Sequence, residues 1–207
     1  MWTGTTSEVN LYLIRHGATK SNLRHAYLGK TDEALSDEGR QQIEDMKNKK
    51  CYPDKADILF CSPMIRCKQT ANLIYPDTKQ IVIDEWREID FGRFEGKTYS
   101  ELNGDEQYQR WIDSNAQLPF PNGESRDEFI KRTMSGLEQC ATFMKKGIKT
   151  AVAAVHGGTI MAIISSLTGK DYYTYQVKNA DGYMLTLILS DKIQITKLRR
   201  LGDNSEY

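Results

Sequence analysis

Short apolar runs alternate along this chain with segments of helical periodicity. The first run, Val9–Ile14, is almost continuously apolar, which is typical of a strand buried on both faces of a mostly parallel sheet. Residues 56–62, 79–84 and 149–158 contain similar runs, and two final runs, 183–189 and 192–198, are separated by a turn at Ser190-Asp191. This pattern predicts a central sheet of about six strands that ends in a hairpin.

Helical segments fill the intervals between the runs. Ser36 is placed to cap a helix over 37–49, and Ser125 opens a capping box for a helix that runs to about Lys146 and ends at Gly147. Pro63 suits the first position of a further helix, and another is expected over 159–168. A core-facing stripe of the helix after Pro63 recurs at spacings of three and four, at Met64, Cys67, Ala71 and Ile74. The alternation predicts an α/β fold, a three-layer α/β/α sandwich.

Residues 89–124 break this alternation. They are rich in Gly, Asn, Pro and aromatic residues, which suggests an insertion over the carboxyl edge of the sheet. Such an insertion is expected to act as a lid or specificity loop, or else to be a surface excursion that only packs on the domain. The predicted organisation is one domain over 9–200, preceded by a flexible lead-in over 1–8 that lacks the pattern of a secretory signal.

Composition narrows the function classes. The chain has 207 residues, with 28 Lys+Arg against 28 Asp+Glu, so bulk charge gives no support for binding to nucleic acid or to an anionic membrane. No apolar stretch is long enough to span a bilayer. The four cysteines form no CxxC pair and are expected to be reduced thiols of a cytoplasmic protein, with no metal site.

Candidate chemistry lies where three predicted strands end. The first ends at Arg15-His16, the second at Ser62 with Arg66 just beyond, and a later one at His156. Because the carboxyl ends of parallel strands share one edge, two histidines and two arginines are expected to converge there. Arginine offers a planar fork to phosphate oxygens and histidine can accept a phosphoryl group. The alternative is that each residue has an ordinary structural role at its own strand end.

The motifs around these residues resemble those of the histidine phosphatase superfamily, in its phosphoglycerate mutase-like branch. They cover about residues 9–190 in the family's order, with Ala18 and Ala34 standing where Glu and Pro are frequent. The matching segments are Arg15–Asn22, Asp32 with Leu35, Ser36 and Gly39, Cys61–Thr70, Glu88–Gly96, Pro121–Ser125 and His156–Gly158.

This resemblance implies a metal-independent phosphomonoesterase without a cofactor. His16 would be the nucleophile, oriented by a backbone carbonyl with Gly17 in a tight turn, and a protonated His156 would donate to the transferring phosphoryl group. Arg15 and Arg66 would clamp the phosphate. The remaining candidates for phosphate or substrate binding are Thr19, Asn22, Ser62 and Gly157.

The resemblance places Glu88 as the candidate general acid, through the Glu-x-x-x-Gly match of Glu88 to Gly92. A neighbouring phosphate should raise its pKa, which suits an acid that works near neutrality. Asp90 and Glu95 are the substitutes for that role. The alternative for Glu88 is a surface carboxylate paired with Arg87 or Arg93. His25 lies in a predicted loop and is expected to be non-catalytic.

Several functions stay open at this level. Hydrolysis of a small phosphomonoester is favoured over mutase-type phosphoryl transfer, because mutases of the family generally carry a longer insertion. The remaining hypotheses are a broad-specificity or sugar-phosphate phosphatase and a non-catalytic phosphate-binding module. The nearest subgroup by motif is that of alpha-ribazole phosphatases, which act in cobalamin assembly. Tyr108, Trp111 and Phe120 would then stack on a base, or would form a small core of the insertion. The protein is expected to be a monomer or homodimer.

Overall fold

One mixed sheet runs through the part of the chain that the computed structural model describes, residues 7–144 and 147–202. Its six strands, in the order β3-β2-β4-β1-β5-β6 across the sheet, are β1 (Ser7–Arg15), β2 (Ile58–Cys61), β3 (Gln80–Val82), β4 (Thr150–Val155), β5 (Gly182–Leu189) and β6 (Ile193–Arg200). Strands β1 to β4 are mutually parallel, and β5 and β6 add an antiparallel hairpin at one edge. The predicted α/β fold with about six strands is confirmed.

Helices cover both faces of the sheet. They are α1 (Lys20–Leu23), α2 (Asp37–Asn48), α3 (Ile65–Ile74), α4 (Tyr99–Leu102), α5 (Glu106–Asp113), α6 (Arg126–Met144) and α7 (Gly157–Thr168). Alternate residues of the central strands explain the layering, since Ala153 packs in one apolar cluster with α6 and α7, and Ala154 in another with α2 and α3. Residues 151–155 of β4 are all buried, as a strand covered on both faces requires.

Several element boundaries differ from the predicted ones. Strand β1 begins at Ser7, two residues before the predicted start, so the last two residues of the predicted lead-in are in the sheet, and residues 1–6 lie outside the described part. Helix α6 begins with the predicted capping box, in which Ser125 and Glu128 each accept the other's main-chain N–H. The predicted end of that helix, near Lys146, lies outside the described residues.

Helix α3 begins at Ile65, because its cap comes from a distant segment. Met64 has extended backbone at the N-cap position and makes no side-chain cap. The carboxylate of Asp32 instead accepts the N–H of Ile65 at 2.7 Å, which satisfies one of the free donors of the first turn. Pro63 therefore precedes the helix and does not occupy its first position.

The insertion over 89–124 has an apolar core of its own. Side chains from it pack together with Phe129 of α6 and Ala162 of α7, the main contributors being Ile89, Phe94, Leu102, Tyr108, Trp111 and Phe120. The insertion is also joined to the 26–31 loop. Within that loop Tyr27 donates its N–H to the Lys97 carbonyl at 2.9 Å, and its carbonyl accepts from Gly96 at 2.8 Å. The hydroxyls of Tyr27 and Tyr108 are 2.9 Å apart.

Candidate active site

The predicted convergence of strand ends is present in the sheet register. Arg15 of β1 pairs with Val155 of β4, and Cys61 of β2 pairs with Ala154. The next residues in the three segments are His16, His156 and Ser62, so they emerge side by side at the carboxyl edge. The rings of the two histidines lie with centroids 5.2 Å apart at 70°.

His16 is buried and held in one tautomer. Its Nδ1 lies 2.7 Å from the carbonyl oxygen of Gly17, and because a carbonyl can only accept, Nδ1 carries the proton and Nε2 keeps its lone pair. Burial lowers the pKa of His16 well below its usual range, and the positive charges of Arg66 and Arg15 lower it further. The ring is therefore neutral near pH 7, with Nε2 unprotonated.

Gly17 is required for close packing and not for a tight turn. A Cβ at this position would lie 2.4 Å from the carbonyl oxygen of Gly39 and 2.8 Å from the Ile43 side chain. In return, a Cβ on Gly39 would lie 1.9 Å from the carbonyl oxygen of Ala18. The two glycines let α2 approach the segment after β1, and this contact fixes the position of His16.

His156 occupies the N-cap position of α7, and Ser62 orients its ring. The Ser62 hydroxyl lies 2.8 Å from Nε2, and Cys67 Sγ lies 3.5 Å from the same atom. Burial lowers the pKa of His156 well below its usual range, and Arg66 is the next largest cause. His156 is therefore neutral in this structure, in contrast to the protonated form that the family resemblance implies. A phosphate dianion beside it would favour the protonated form.

The two arginines are anchored by main-chain carbonyls. Arg66 is fully buried and donates to Gly29 and Thr31 at 2.8 and 2.9 Å, while Arg15 donates to Val177 at 2.7 Å. In both guanidinium groups Nε is buried and has no hydrogen-bond partner among the described residues. Each therefore offers a buried N–H donor to an anionic acceptor.

Glu95 fixes the loop whose carbonyl groups anchor Arg66. Its carboxylate accepts the N–H groups of Gly29 and Lys30 and the hydroxyl of Thr31, at 2.9 to 3.2 Å. It also accepts the N–H of Phe91 at 3.2 Å. These four donors occupy the carboxylate, so Glu95 is a structural centre of the 26–31 loop and not a substitute general acid.

Glu88 is a buried residue whose carboxyl group lies at the N-terminus of α7. It is 9% exposed, and its oxygens accept N–H groups from Ile89 at 3.0 Å and from Gly158 at 3.4 Å. Burial raises the pKa of Glu88, although the N–H of Ile89 and the charges of Arg66 and Arg15 oppose the shift. A Cβ on Gly158 would lie 2.4 Å from the carboxyl oxygen, so the glycine makes room for it. The surface pairing of Glu88 with Arg87 or Arg93 is not observed.

Thr19 and Asn22 are used locally to cap α1. Asn22 donates its main-chain N–H to the Thr19 hydroxyl at 3.3 Å, and Thr19 donates its N–H to the Asn22 side-chain oxygen at 3.2 Å. Asn179 donates to that oxygen as well, and also to the His16 carbonyl at 3.0 Å. Gly157 lies beside the guanidinium of Arg15. A Cβ on Gly157 would lie 3.5 Å from Nε of Arg15, which is an ordinary van der Waals contact.

The three aromatic residues proposed to meet a substrate base are buried. Tyr108, Trp111 and Phe120 are 4%, 8% and 8% exposed. All three pack edge-on against Phe94, and Trp111 also stacks on Tyr108 and lies tilted against Phe120. The structure thus favours the alternative that they are the core of the insertion.

Two further candidates from the sequence lie at the surface or in an ion pair. The carboxylate of Asp90 pairs with the Lys30 ammonium at 2.8 Å, and His25 is exposed.

Sequence reasoning missed three neighbours of the site. Asn179 and Tyr172 follow α7 in segments without a motif, and Tyr172 places its hydroxyl 3.3 Å from the carbonyl of Gly158. Arg132 lies in α6 and reaches the main chain of Glu88 at 3.1 Å. Its only signal in the sequence is a spacing from Glu124 of about two helical turns.

Comparison with known proteins adds independent evidence. The family model of the histidine phosphatase superfamily (branch 1) matches residues 11–198. A relative from Hydrogenobacter thermophilus, described as a candidate phosphoserine phosphatase, is 30% identical over 201 residues, which cover 90% of this chain and 97% of the relative. None of the described helices is long and apolar enough to cross a membrane.

Two solved structures share the fold. A variant of Entamoeba histolytica phosphoserine phosphatase in complex with phosphoserine is 30% identical, with a TM-score of 0.75 and coverage of 92% of this chain and 96% of that one. The alpha-ribazole phosphatase from Shigella flexneri has a TM-score of 0.77 at 22% identity, over 96% of this chain and all of that one. The chain belongs to the histidine phosphatase superfamily and is a phosphatase.

Proposed function

We propose that this phosphatase hydrolyses small phosphomonoesters through a phosphohistidine on His16. The observation that carries the proposal is the tautomer of His16, whose Nδ1–H donates to Gly17 and leaves the lone pair of Nε2 free. Arg15 and Arg66 flank this ring and each keeps a buried Nε–H without a partner among the described residues. A phosphate dianion is the acceptor that suits these donors.

In the first step Nε2 of His16 attacks phosphorus and the bond to the ester oxygen breaks. The carboxyl of Glu88, whose pKa burial raises, gives its proton to the leaving alkoxide. In the second step the Glu88 carboxylate takes a proton from water, whose oxygen attacks phosphorus and releases inorganic phosphate and neutral His16. Two arginines and His156 supply about 3 kcal/mol or more of transition-state stabilisation in such a site.

The substrate class that we favour is a small alkyl phosphate that carries a carboxylate, such as phosphoserine. Support comes from two relatives that are each 30% identical to this chain, one described as a candidate phosphoserine phosphatase and the other as a phosphoserine phosphatase in complex with phosphoserine. Alpha-ribazole 5′-phosphate is the second candidate. It rests on the motif resemblance and on a likeness of fold at 22% identity, and the burial of Trp111 removes the stacking argument for it.

A trapping experiment tests the phosphohistidine. The purified protein would be mixed with labelled phosphoserine in the presence of a chelator and quenched after milliseconds, and acid-labile protein-bound phosphate would be counted. We expect label on the wild type and on the His25→Asn control, whose ring is exposed, and none on His16→Asn. Steady turnover without trapped label, or label that survives in His16→Asn, would contradict the proposal.

A substrate panel tests the class. Phosphoserine, 3-phosphoglycerate, alpha-ribazole 5′-phosphate, a fructose bisphosphate and p-nitrophenyl phosphate would be compared by kcat/KM with chelator present. We expect phosphoserine to rank above the nucleotide-like substrate by about tenfold, which corresponds to about 1.4 kcal/mol. A higher value for alpha-ribazole 5′-phosphate would transfer the assignment to it, and phosphoryl transfer between phosphoglycerates without hydrolysis would favour the mutase alternative.

A further inference from the structure

We propose that Arg132 is a positioning residue for Glu88 and that, with Glu124, it aligns the general acid with the leaving group. The inference deepens the proposed function and rests on its assignment of Glu88 as the proton donor. Arg132 lies in the second turn of α6, and its hydrogen bonds within the described residues go to Glu124 and to the main chain of residues 85–88. Its effect would pass through the main chain of the segment that carries Glu88.

The guanidinium of Arg132 donates hydrogen bonds to three main-chain carbonyl groups of that segment. It donates to Glu85 at 2.7 Å, to Arg87 at 2.6 Å and to Glu88 itself at 3.1 Å. Because a guanidinium is rigid and planar, three carbonyls bound to one group are fixed relative to one another. The segment from Glu85 to Glu88 is therefore held to α6 by a single side chain.

Glu124 fixes the guanidinium in turn. Its two carboxylate oxygens accept from Nε and Nη2 of Arg132 at 2.6 and 2.8 Å, in the bidentate geometry that gives the strongest ionic hydrogen bonds. Glu124 also accepts the N–H of Asp90 at 3.4 Å and donates its own N–H to the Asp90 carbonyl at 2.9 Å. The main chain is thus tied on both sides of Glu88.

The carboxyl group of Glu88 depends on this main-chain anchoring. Its hydrogen bonds within the described residues come from two main-chain N–H groups, those of Ile89 and Gly158, and from no side chain. The Gly158 side of the site is tied to Arg132 as well, because the guanidinium lies 4.8 Å from the ring centroid of Phe129, which packs beside Gly158. Displacement of the backbone would therefore move the carboxyl group.

Loss of proton donation has a signature that general damage lacks. An alkyl phosphate expels a strongly basic alkoxide, which needs the proton of Glu88, whereas p-nitrophenyl phosphate expels a weak base, which does not. A misplaced acid therefore slows turnover of phosphoserine much more than that of p-nitrophenyl phosphate. A distorted phosphate site slows both equally.

The test measures kcat and KM of Arg132→Gln on these two substrates. We expect kcat on phosphoserine to fall about 10- to 100-fold, the loss typical of a misplaced catalytic group, and kcat on p-nitrophenyl phosphate to change less than about threefold, with KM values nearly unchanged. Arg87→Gln removes the same charge from an exposed side chain of the same segment and should change neither. Equal losses on both substrates, or no loss, would overturn the proposal.

Two further variants keep the result interpretable. Arg132→Lys retains the charge but not the fork, so it should show the same selective loss even if Arg132→Gln does not fold. Glu88→Gln should show a larger selective loss, and Arg132→Gln should add little to it in the double variant. If Glu88→Gln slows both substrates equally, the proposed function is wrong about its acid. If only Glu88→Gln is selective, the role of Arg132 alone is overturned.

Discussion

At the scale of single residues, the site is built from side chains that orient other side chains. Ser62 is the clearest case, since its hydroxyl lies 2.8 Å from Nε2 of His156 and accepts the N–H of Met64 at 3.4 Å. Ser62 and His156 are both fully buried. The role of Ser62 in phosphate binding stays a prediction, and the side-chain partner that the structure gives its hydroxyl is a histidine.

Replacement of Ser62 by alanine should leave the ring of His156 free to turn. We expect kcat on phosphoserine to fall about tenfold and the free energy of unfolding to fall by about 1–2 kcal/mol, because a buried polar atom loses its partner. Ser165→Ala is the control, since that buried hydroxyl bonds to the carbonyl of Ala162, away from the site. Steady-state kinetics and urea denaturation of both variants would measure these two effects. An unchanged kcat in Ser62→Ala would contradict the orienting role.

How much of the site was predictable from sequence is clearest from these residues. Arg15, His16 and His156 follow from the rule that parallel strands deliver their last residues to one edge. The main-chain partners of His16 and Glu88 do not follow from that rule. Asn179 and Arg132 reach the site through a turn and a helix whose placement depends on tertiary packing. The neutral state of His156 was also unpredictable, since it results from burial among arginines that are distant in sequence.

At the scale of elements, the 26–31 loop transmits the position of the insertion to Arg66. Its carbonyls at Gly29 and Thr31 hold the guanidinium, and Glu95 of the insertion holds the loop. The sequence predicted neither link, because hydrogen bonds to main-chain groups of a distant segment follow no fixed sequence spacing. It did predict the capping box at Ser125, where the pairing is local. The predicted start of α3 was wrong because its capping residue, Asp32, lies far away in the sequence.

Glu95→Gln should loosen the anchoring of Arg66. The amide retains one oxygen but replaces the other by a donor, which cannot accept the N–H groups it faces. We expect KM for phosphoserine to rise about tenfold, which corresponds to about 1.4 kcal/mol of lost binding, with a smaller change in kcat. Glu101→Gln removes an equivalent capping carboxylate in the same insertion and should leave KM unchanged. An equal rise in both variants would show that the effect is not specific to the loop.

At the scale of the whole molecule, the insertion is a packed unit attached to the helices that flank the site. Its length and aromatic content were evident from sequence, but whether the rings faced a ligand or each other was not, because both arrangements require the same residue types. The burial of Tyr108, Trp111 and Phe120 favours packing of the rings on one another over contact with a ligand. The indole N–H of Trp111 is buried and has no hydrogen-bond partner in the described part of the chain, so its contribution is that of an apolar ring.

Substitutions of Trp111 should therefore affect stability and not substrate choice. We expect Trp111→Ala to lower the free energy of unfolding by about 3–5 kcal/mol. Trp111→Phe should cost less, because phenylalanine keeps one aromatic ring and leaves a smaller cavity. Thermal melting measures both. At a temperature where Trp111→Phe is folded, its ratio of kcat/KM between alpha-ribazole 5′-phosphate and phosphoserine should equal that of the wild type. A selective loss on the nucleotide-like substrate would restore the stacking hypothesis.

Global stability should fall in mild acid because of the two buried histidines. Their pKa values are lowered in the folded protein, so below about pH 6.5 the unfolded chain binds protons that the folded chain does not. Each histidine then costs up to about 1.4 kcal/mol per pH unit. The raised pKa of Glu88 has the opposite effect on stability, because between the usual and the raised pKa the folded chain binds a proton that the unfolded chain does not. This effect offsets only one of the two histidines.

Urea denaturation between pH 7 and 5.5 would measure this dependence. We expect a shallower slope in the double variant His16→Asn with His156→Asn, which has no buried group left to titrate at these two positions. His25→Asn, at an exposed position, is the matched control and should keep the slope of the wild type. An unchanged slope in the double variant would contradict the assignment of neutral buried histidines.

The attachment of the insertion to the 26–31 loop has a consequence for protein engineering. A chimera that receives residues 89–124 from a relative would have to match the side chain of Tyr27, whose hydroxyl lies 2.9 Å from that of Tyr108 and whose ring contacts those of Phe91 and Phe94. A mismatch there would displace the loop whose carbonyls hold Arg66. Any new substrate preference would then be mixed with damage to Arg66. An exchange of the insertion would therefore have to include two segments, and the shorter one lies well upstream of the longer one in the chain.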